Sequence, residues 1–529
     1  MASSPLTLPP DYWQTFSLGK KDLEFLSTYL FDKEIPLNEE ELVPILVEER
    51  LRKESEALIK QQKSGAKIYL PKEHNKAGEK LVFPALDWKK GKVTGVRPGV
   101  NPTIGEFEII EVEFEDKTSR QFAAGLEDHK LNRPVEIADD DQLLNPSNVL
   151  KAYGPVFEKK LGKALAADDD LVKVARRWFP RALLVDVNEG HLNLAEAVLD
   201  EVGGKPLPTM ALIEQVELPD DVHPKLVEFS MNYALQEDGR FDEVGPAGAV
   251  LWCLKRLEPE DVRQIPVPLR YVAIPYDRST LTSEMLALEA ELDDELAEDE
   301  SPASQMDEIT ISLSYPHWRV GTLPVSARLR GLFPTAYESP RVRFTVVDGQ
   351  SKEKIPAWVV RQHGYIAGLG KLYEKYGLMP GSLVSIAKGK EPGQTIITAR
   401  IHRSQRDWVR TVLVGSDGGI VFAMLKQNVT ADFNERMAIA VPDVASVDEA
   451  CAQVAKQRLP FERLVADMMH ELVKLNVQGH VHARELYSAL NIVRRCPPGP
   501  LLAFLLRNYN YKHVGDLHYR MAEMEVEHE

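Results

Sequence analysis

The stretch ITISLSYPHWRVGTLPVSARLRGLFPTAYESPRVRFTVVDG, residues 309–349, decides the fold of the central part of this chain. Apolar and polar residues alternate in it with a period of two, which is typical of strands that bury one face. The alternation continues in residues 355–360, 381–389 and 394–404, and one helical pattern, LGKLYEKYG at 369–377, interrupts it. The pattern predicts a compact barrel of five or more strands with one short helix.

Charge separates this stretch from the rest of the chain. Residues 309–410 hold 16 basic and six acidic side chains, a net charge of +10. The whole chain has a net charge of −17, so the remainder carries −27. A polyanion such as nucleic acid would therefore meet a basic module inside an acidic protein.

Length and composition predict several domains in one soluble chain. The 529 residues suggest about three to five folded units, and the 44% apolar content is enough to give each a core. Three scattered cysteines give neither a disulfide framework nor a zinc site and fit a reducing cytoplasm. The start MASSPLTLPPDYW has no leader pattern, so we expect a cytoplasmic, unprocessed protein.

The N-terminal part predicts a helical region followed by a small barrel. Residues 1–78 show helical spacing, and Asn38 with Glu41 three residues later forms a capping-box pattern. Short strands broken by turn residues fill 79–135 and predict a small, strongly bent barrel. Its strand spacing resembles that of Tudor and KOW barrels, which bind peptides, polymerase surfaces or nucleic acid. A structural spacer is the alternative.

Residues 150–272 predict an acidic winged helix. Helical patterns are followed by a glycine-broken two-strand element, DGRFDEVGPAGAVLWCL at 238–254. This order resembles the HARE-type winged helix of the delta subunit of bacterial RNA polymerase. Phe241, Trp252 and Leu254 should anchor the wing on the core. Residues 163–258 hold ten basic and 18 acidic side chains, which opposes DNA and favours a protein partner such as RNA polymerase.

An acidic segment separates this region from the basic module. Residues 284–300 carry nine carboxylates and no Lys or Arg. Without counter-charge, the segment 283–308 predicts a solvated linker, although its leucine spacing could support a short helix.

The basic module, residues 309–425, is similar to the DNA-binding pseudobarrel of plant auxin-response factors and of restriction-endonuclease recognition domains. The resemblance rests on Leu323 with Pro324, on the block 368–376, and on Leu378, Gly381 and Val384, and Ser382 replaces the usual Asp. The resemblance implies a seven-stranded pseudobarrel that reads double-stranded DNA in the major groove. The side chains that we expect to contact DNA are Trp318, Arg319, Arg328, Arg330, Arg341, Arg343, Lys352 and Lys354.

Arg341 and Arg343 alternate on one strand, so both guanidiniums should share one face and reach guanine or phosphate. A solvated strand face is the alternative. Lys388, Lys390, Arg400, Arg403, Arg406 and Arg410 lie in turns and at the end of the barrel, where we expect phosphate contacts.

Residues 456–523 resemble a second winged helix, with three helical patterns and two short strands around Gly515. The side chains placed where a docking winged helix would need cations are Arg494, Arg495, Lys512 and Arg520. Packing against the rest of the protein is the alternative for this unit.

No catalytic, metal or cofactor motif stands out. The sequence contains neither a phosphate-binding P-loop nor a G-x-S-x-G nucleophile motif, and His470, His480 and His482 lack further ligands at metal spacing. We therefore expect a non-catalytic, modular, transcription-associated DNA-binding protein without cofactors. The alternatives are a protein-protein scaffold, or the recognition subunit of a restriction or defence system.

Overall fold

The computed structural model describes residues 11–63, 67–83, 86, 89–101, 105–114, 117–127, 129–132, 143, 145–219, 221–298, 306–391 and 393–522. The fold is multidomain α+β, as the sequence predicts. Two compact units divide it: Met1–Asp186 with Pro219–Tyr233, and Val187–Leu218 with Ala234–Glu529. The predicted leader-free start at 1–10, the barrel end at 133–135 and part of the acidic linker, 299–305, lie outside the described residues. No helix in the described ranges is long and apolar enough to cross a membrane.

The first unit opens with helices. Its helices are α1 Tyr12–Thr15, α2 Lys20–Lys33, α3 Glu39–Lys63 and α4 Pro146–Leu165. The predicted capping box at the start of α3 is confirmed, because the Asn38 amide donates to Glu41 and the Glu41 amide donates to Asn38, each at 2.9 Å. The buried rings of Trp13 and Phe157 lie 5.8 Å apart in the core between α1 and α4.

A small curled sheet follows in the same unit. Its strands are β1 Lys67–Ile68, β2 Lys80–Phe83, β3 Lys89–Asn101, β4 Gly105–Phe114 and β5 Ser119–Ala124, paired in sequence order. Backbone bonds from Gly125 to Glu73 and from Leu126 to Pro71 join the two ends of the sheet. A short hairpin, β6 Leu171–Val174 and β7 Arg177–Pro180, completes the strands of this unit.

Elements of the predicted 150–272 winged helix are distributed over both units. They are α5 Glu189–Glu201, β8 Leu207–Pro208, α6 Thr209–Ile213, α7 Pro224–Glu237, β9 Phe241–Glu243, β10 Leu251–Leu254 and the short α8 Glu260–Arg263. The strands form a three-stranded sheet in the order β8-β10-β9. Phe241, Trp252 and Leu254 are buried, as expected for wing anchors. The HARE identity of this region stays a prediction.

The central module is a curled seven-stranded half-barrel. Its strands are β11 Glu308–Ser312, β12 Leu323–Pro324, β13 Arg341–Asp348, β14 Lys354–Val360, β15 Tyr365–Ala367, β16 Leu383–Lys388 and β17 Gln394–Ala399. They pair in the order β11-β16-β17-β13-β14-β15-β12, and β13 with β17 is a parallel pair. Alternate residues of β13, such as Val342 and Phe344, fill the core.

Two helices, rather than the single predicted one, accompany this sheet: α10 Tyr315–Val320 and α11 Gly370–Tyr376. The alternation in 309–349 predicts that SYPHW, residues 314–318, belongs to a strand, and that prediction is wrong. Pro316 in the first turn has its φ preset for a helix, and Gly321 ends the helix at a φ of 67°, which L-residues with side chains rarely adopt.

The sequence predicts that residues 400–425 belong to the barrel, and this prediction is wrong. They form a separate two-stranded antiparallel ribbon, β18 Ile401–Val414 with β19 Ile420–Ala431, which we call the ribbon. One end of the ribbon packs with the half-barrel through Ala431, and the other end packs through Val412 and Phe422 on the C-terminal core.

The C-terminal elements are α12 Val444–Gln457, α13 Phe461–Val473, β20 Val481–His482, α14 Ala483–Val493, α15 Pro498–Arg507, β21 Tyr511–Gly515 and β22 His518–Met521. The strand order β20-β22-β21 matches β8-β10-β9, since in both sheets the last strand lies between the other two. From α13 onward, helix, strand, two helices and a two-strand wing follow one another as in the first module. The winged-helix identity of this unit stays a prediction.

The predicted solvated linker is wrong for residues 283–298. Residues Ser283–Glu291 form α9, with Met285 and Leu288 buried in the C-terminal core. Asp294 and Glu295 follow it and are buried as well. Both bind the guanidinium of Arg495, which supplies the counter-charge that the segment itself lacks.

Candidate nucleic-acid interface

The half-barrel uses three of its predicted DNA-contacting side chains for internal contacts. The Trp318 indole lies on α10 and donates a 2.7 Å hydrogen bond to the Leu378 carbonyl. Arg319 binds Asp448 through two nitrogens, at 3.1 and 2.5 Å. Arg328 lies 3.6 Å from the buried Asp293. These three side chains stabilise the fold in this structure.

Arg341 and Arg343 share one strand face, as expected. Residues of the same chain that precede the half-barrel, in β9 and in the segments before β8 and after β10, cover that face. The Arg341 guanidinium lies 2.7 Å from Asp242 and 3.0 Å from Glu258. Arg343 donates to the Gly204 carbonyl, and its guanidinium lies over the Trp358 ring. The prediction of an open, DNA-reading strand face is therefore corrected, because the same chain occupies the face.

Burial raises the pKa of two carboxyl groups at this contact. It raises the pKa of Glu258 to about 8, with a further contribution from Asp242, and it raises the pKa of Glu243 to about 7. A pKa of about 8 means that the Glu258 carboxyl holds a proton at neutral pH.

The C-terminal candidates divide in the same way. The Arg495 side chain is 2% exposed and binds Asp294 at 2.6 Å and Glu295 at 2.8 Å, so its predicted contact with DNA is wrong. Arg494 is half-buried. Lys512 on β21 and Arg520 on β22 are exposed and lie directly opposite each other.

Three further candidates of the half-barrel lie at the surface. Arg330 is exposed in a short turn, Lys352 donates to the Gly349 carbonyl at 2.7 Å, and Lys354 is 3.8 Å from Glu391. Arg330 lies in a turn before β13, whereas Lys352 lies between β13 and β14 and Lys354 begins β14.

A different surface brings exposed cations together on the ribbon. Arg406 pairs with Asn428 across the two strands, and Trp408 pairs with Lys426. Opposite residues and residues two apart share a face in an antiparallel pair, so these four side chains form one surface, which we call the ribbon face. All four are exposed, and Arg403 is exposed nearby on β18.

The other side of the ribbon holds this face in place. Val409 and Val429 are buried there and pack with Ala438. Arg410 is buried between the Arg436 carbonyl and Glu485, which fixes the strand beside Trp408. The prediction of a phosphate contact for Arg410 is wrong, since burial removes it from solvent and lowers its pKa.

The guanidiniums of Arg403 and Arg406 have no ion-pair or hydrogen-bond partner within the described ranges. The ammonium of Lys426 lies 5.4 Å from the centre of the Trp408 ring. Three basic side chains and one acidic one, Asp407, thus lie on the exposed middle of the ribbon.

The sequence predicts phosphate contacts at Arg403 and Arg406, but it predicts none of the roles of Trp408, Lys426 and Asn428. The alternation in RSQRDWVR, residues 403–410, was the available signal, because it places Arg406 and Trp408 on one face. The partner strand could not be assigned from that pattern alone.

Metal sites and reactive thiols each need a particular arrangement of side chains. Within the described ranges no three His, Cys, Asp or Glu side chains are grouped to hold a metal ion. Burial raises the pKa of the Cys253 thiol to about 11 and that of Cys496 to about 12. Neither thiol is poised as a nucleophile.

Comparison with known proteins returns no relative: no protein-family description, no curated protein and no solved structure matches this chain.

Proposed function

We propose that this chain is a non-catalytic DNA-binding protein and that the ribbon face, together with Arg403, makes the contact. The observation that carries the proposal is the difference in pairing among the basic side chains. Arg319, Arg341 and Arg495 are neutralised by carboxylates of the same chain. Arg403 and Arg406 have no such partner in the part of the chain that the structure describes, so they are free to neutralise phosphates.

The shape of the ribbon supports the same proposal. A two-stranded antiparallel ribbon presents side chains from both strands in register, and such ribbons fit the grooves of nucleic acid. The ribbon face offers a guanidinium, an amide, an indole and an ammonium in two adjacent cross-strand pairs. Because Val409 and Val429 fix the opposite side, the face is ordered before it binds.

The exposed pair Lys512 and Arg520 adds a second positive site on the C-terminal wing. Like charges directly opposite each other in a sheet are unfavourable unless an anion is present. We include this wing in the proposal as a phosphate contact that positions the protein and does not read sequence.

Association with transcription and contact with RNA polymerase belong to the same proposal. They rest on the resemblance of the first module to the polymerase delta subunit and on its excess of acidic side chains. Part of that acidity is used internally, because Asp242 and Glu258 bind Arg341. Co-purification of the full chain with RNA polymerase tests this part separately.

The experiment is a binding titration of the full chain with fluorescein-labelled DNA at low salt. Arg403→Ala with Arg406→Ala should weaken binding at least tenfold, since each phosphate contact adds to affinity. The matched control is Lys388→Ala with Lys390→Ala, which removes the same charge from the exposed end of β16 and the turn after it, where the ribbon proposal, unlike the expectation from sequence, places no phosphate contact. No binding by the wild type would refute the proposal and favour a protein-protein scaffold. Equal losses in both variants would assign binding to overall charge.

A further inference from the structure

A groove runs beside the ribbon face. Its volume is about 620 Å³, and its lining includes Trp408 and Met424 of the ribbon and Val477, Gln478 and His480 of the loop after α13. Trp408 is 58% exposed, and Val477 is fully exposed. The lining thus combines an exposed aromatic ring and apolar side chains with many polar groups, and its volume is that of a small-ligand site.

Carboxylates also line this groove. Asp407, Glu435 and Glu485 line it together with Arg410, which binds Glu485, whereas Arg403 and Arg406 are not part of its lining. The excess of carboxylates would repel a phosphate inside the groove, but the N–H groups of a nucleobase, including the ring N–H of thymine and uracil, would find acceptors there. Charge therefore separates the two parts of a nucleotide, with the base directed into the groove and the phosphates toward the arginines.

Stacking on Trp408 requires a base whose flat face is free, and a paired base inside a duplex does not offer that face. An exposed indole gains binding energy by stacking on the flat face of a base, and only an unstacked base offers that face. In a duplex, exposing one base costs a few kcal/mol, whereas a single strand has its bases available.

Resting on the proposed function, we infer that the ribbon binds single-stranded nucleic acid. One base stacks on Trp408 at the mouth of the groove, and the adjoining phosphates contact Arg403 and Arg406. The ligand is sequence-tolerant, because stacking does not distinguish strongly among bases.

The test uses the full chain and labelled 15-nucleotide probes in a fluorescence anisotropy titration. The probes are oligothymidine, an abasic strand with the same phosphates, a 15-base-pair duplex and oligouridine. We expect oligothymidine to bind more tightly than the abasic strand and the duplex. Tighter binding of oligouridine would identify the strand as RNA and would leave the stacking proposal intact.

Three variants localise the effect. Trp408→Ala should weaken binding of oligothymidine about 5- to 150-fold and leave the abasic strand unchanged. Trp408→Phe, which keeps a ring, should recover most of the affinity. Tyr509→Ala is the matched control, since Tyr509 is 89% exposed and does not line the groove.

The outcomes separate this inference from the proposed function. Equal binding of the abasic strand and oligothymidine, with no effect of Trp408→Ala, overturns the inference. If Arg403→Ala with Arg406→Ala still weakens binding in that case, DNA binding by the ribbon stands. Tighter binding of the duplex overturns the inference in favour of groove readout. A chain that binds none of the probes overturns both.

Discussion

Removal of the Arg495 guanidinium tests whether the acidic segment is part of the core. Arg495 binds Asp294 through two nitrogens, at 2.6 and 2.8 Å, and Glu295 at 2.8 Å, with every partner at most 3% exposed. Burial alone would raise the pKa of Glu295, but the charges of Arg495 and His317 hold it well below its usual range. Arg495→Ala leaves two buried carboxylates without their main counter-charge, which should cost about 3–5 kcal/mol.

The assay is limited digestion with a protease that cleaves after glutamate, because 283–298 contains five such sites. Cleavage there requires local opening, and its rate follows the population of the open state. A cost of about 3–5 kcal/mol therefore predicts cleavage at least about a hundredfold faster in Arg495→Ala. Arg494→Ala, at a half-buried neighbour, is the control and should change the rate little. Rapid cleavage of the wild type within 283–298 would refute the reasoning and restore the solvated linker.

Three further predictions concern stability. The raised pKa of Glu258, about 8 against an ordinary 4.5, means that the folded protein holds a proton that the unfolded chain releases. Its contribution to the unfolding free energy is complete below about pH 4.5 and is lost as the pH rises through 8. Urea denaturation of Glu258→Gln at pH 5 to 8 should therefore show a weaker decline with pH than the wild type, and parallel profiles would contradict this. Phe241→Ala removes a 2% exposed ring and should lower the unfolding free energy by about 3–5 kcal/mol in the same assay. A loss below 1 kcal/mol would show that the wing is not anchored there. Asn145→Ala removes a side chain that accepts from two amides at the start of α4, and a thermal scan should report a loss of about 1 kcal/mol; an unchanged midpoint would exclude this cap.

Local features of the fold could be predicted from the sequence because their causes lie within a few residues. The capping box of Asn38 and Glu41 needs only a spacing of three, and the two side chains form it as predicted. Alternation likewise predicted that Arg341 and Arg343 share one face of their strand, and the structure has Val342 and Phe344 on the opposite face, in the core.

Distant partners explain the predictions that failed. Asp294 and Arg495 are 201 residues apart, so a charge count within 284–300 could not find the counter-charge. Arg341 is 99 residues from Asp242, and the cover of its strand face comes from a wing that sequence analysis treated as a separate domain. The parallel pairing of β13 with β17 also joins strands that are not consecutive.

The candidate site combines a feature that the sequence predicts with features that depend on distant partners. Arg403 and Arg406 were identified from their charge, but their value as contacts depends on the absence of carboxylate partners in the described structure. Lys426 reaches Trp408 only because β19 pairs with β18 in this register. A one-residue change of register would move Lys426 to the opposite side of the ribbon.

The most direct test of the central claim is the salt dependence of nucleic-acid binding by the full chain. For a single strand, the logarithm of the binding constant falls with the logarithm of salt concentration by about 0.7 for each phosphate that is neutralised. Loss of two contacts in Arg403→Ala with Arg406→Ala should therefore reduce the slope by about 1.4, while Lys388→Ala with Lys390→Ala keeps the slope of the wild type. An unchanged slope in the ribbon variant, or a wild type that does not bind at low salt, would contradict the assignment of the ribbon as the nucleic-acid interface.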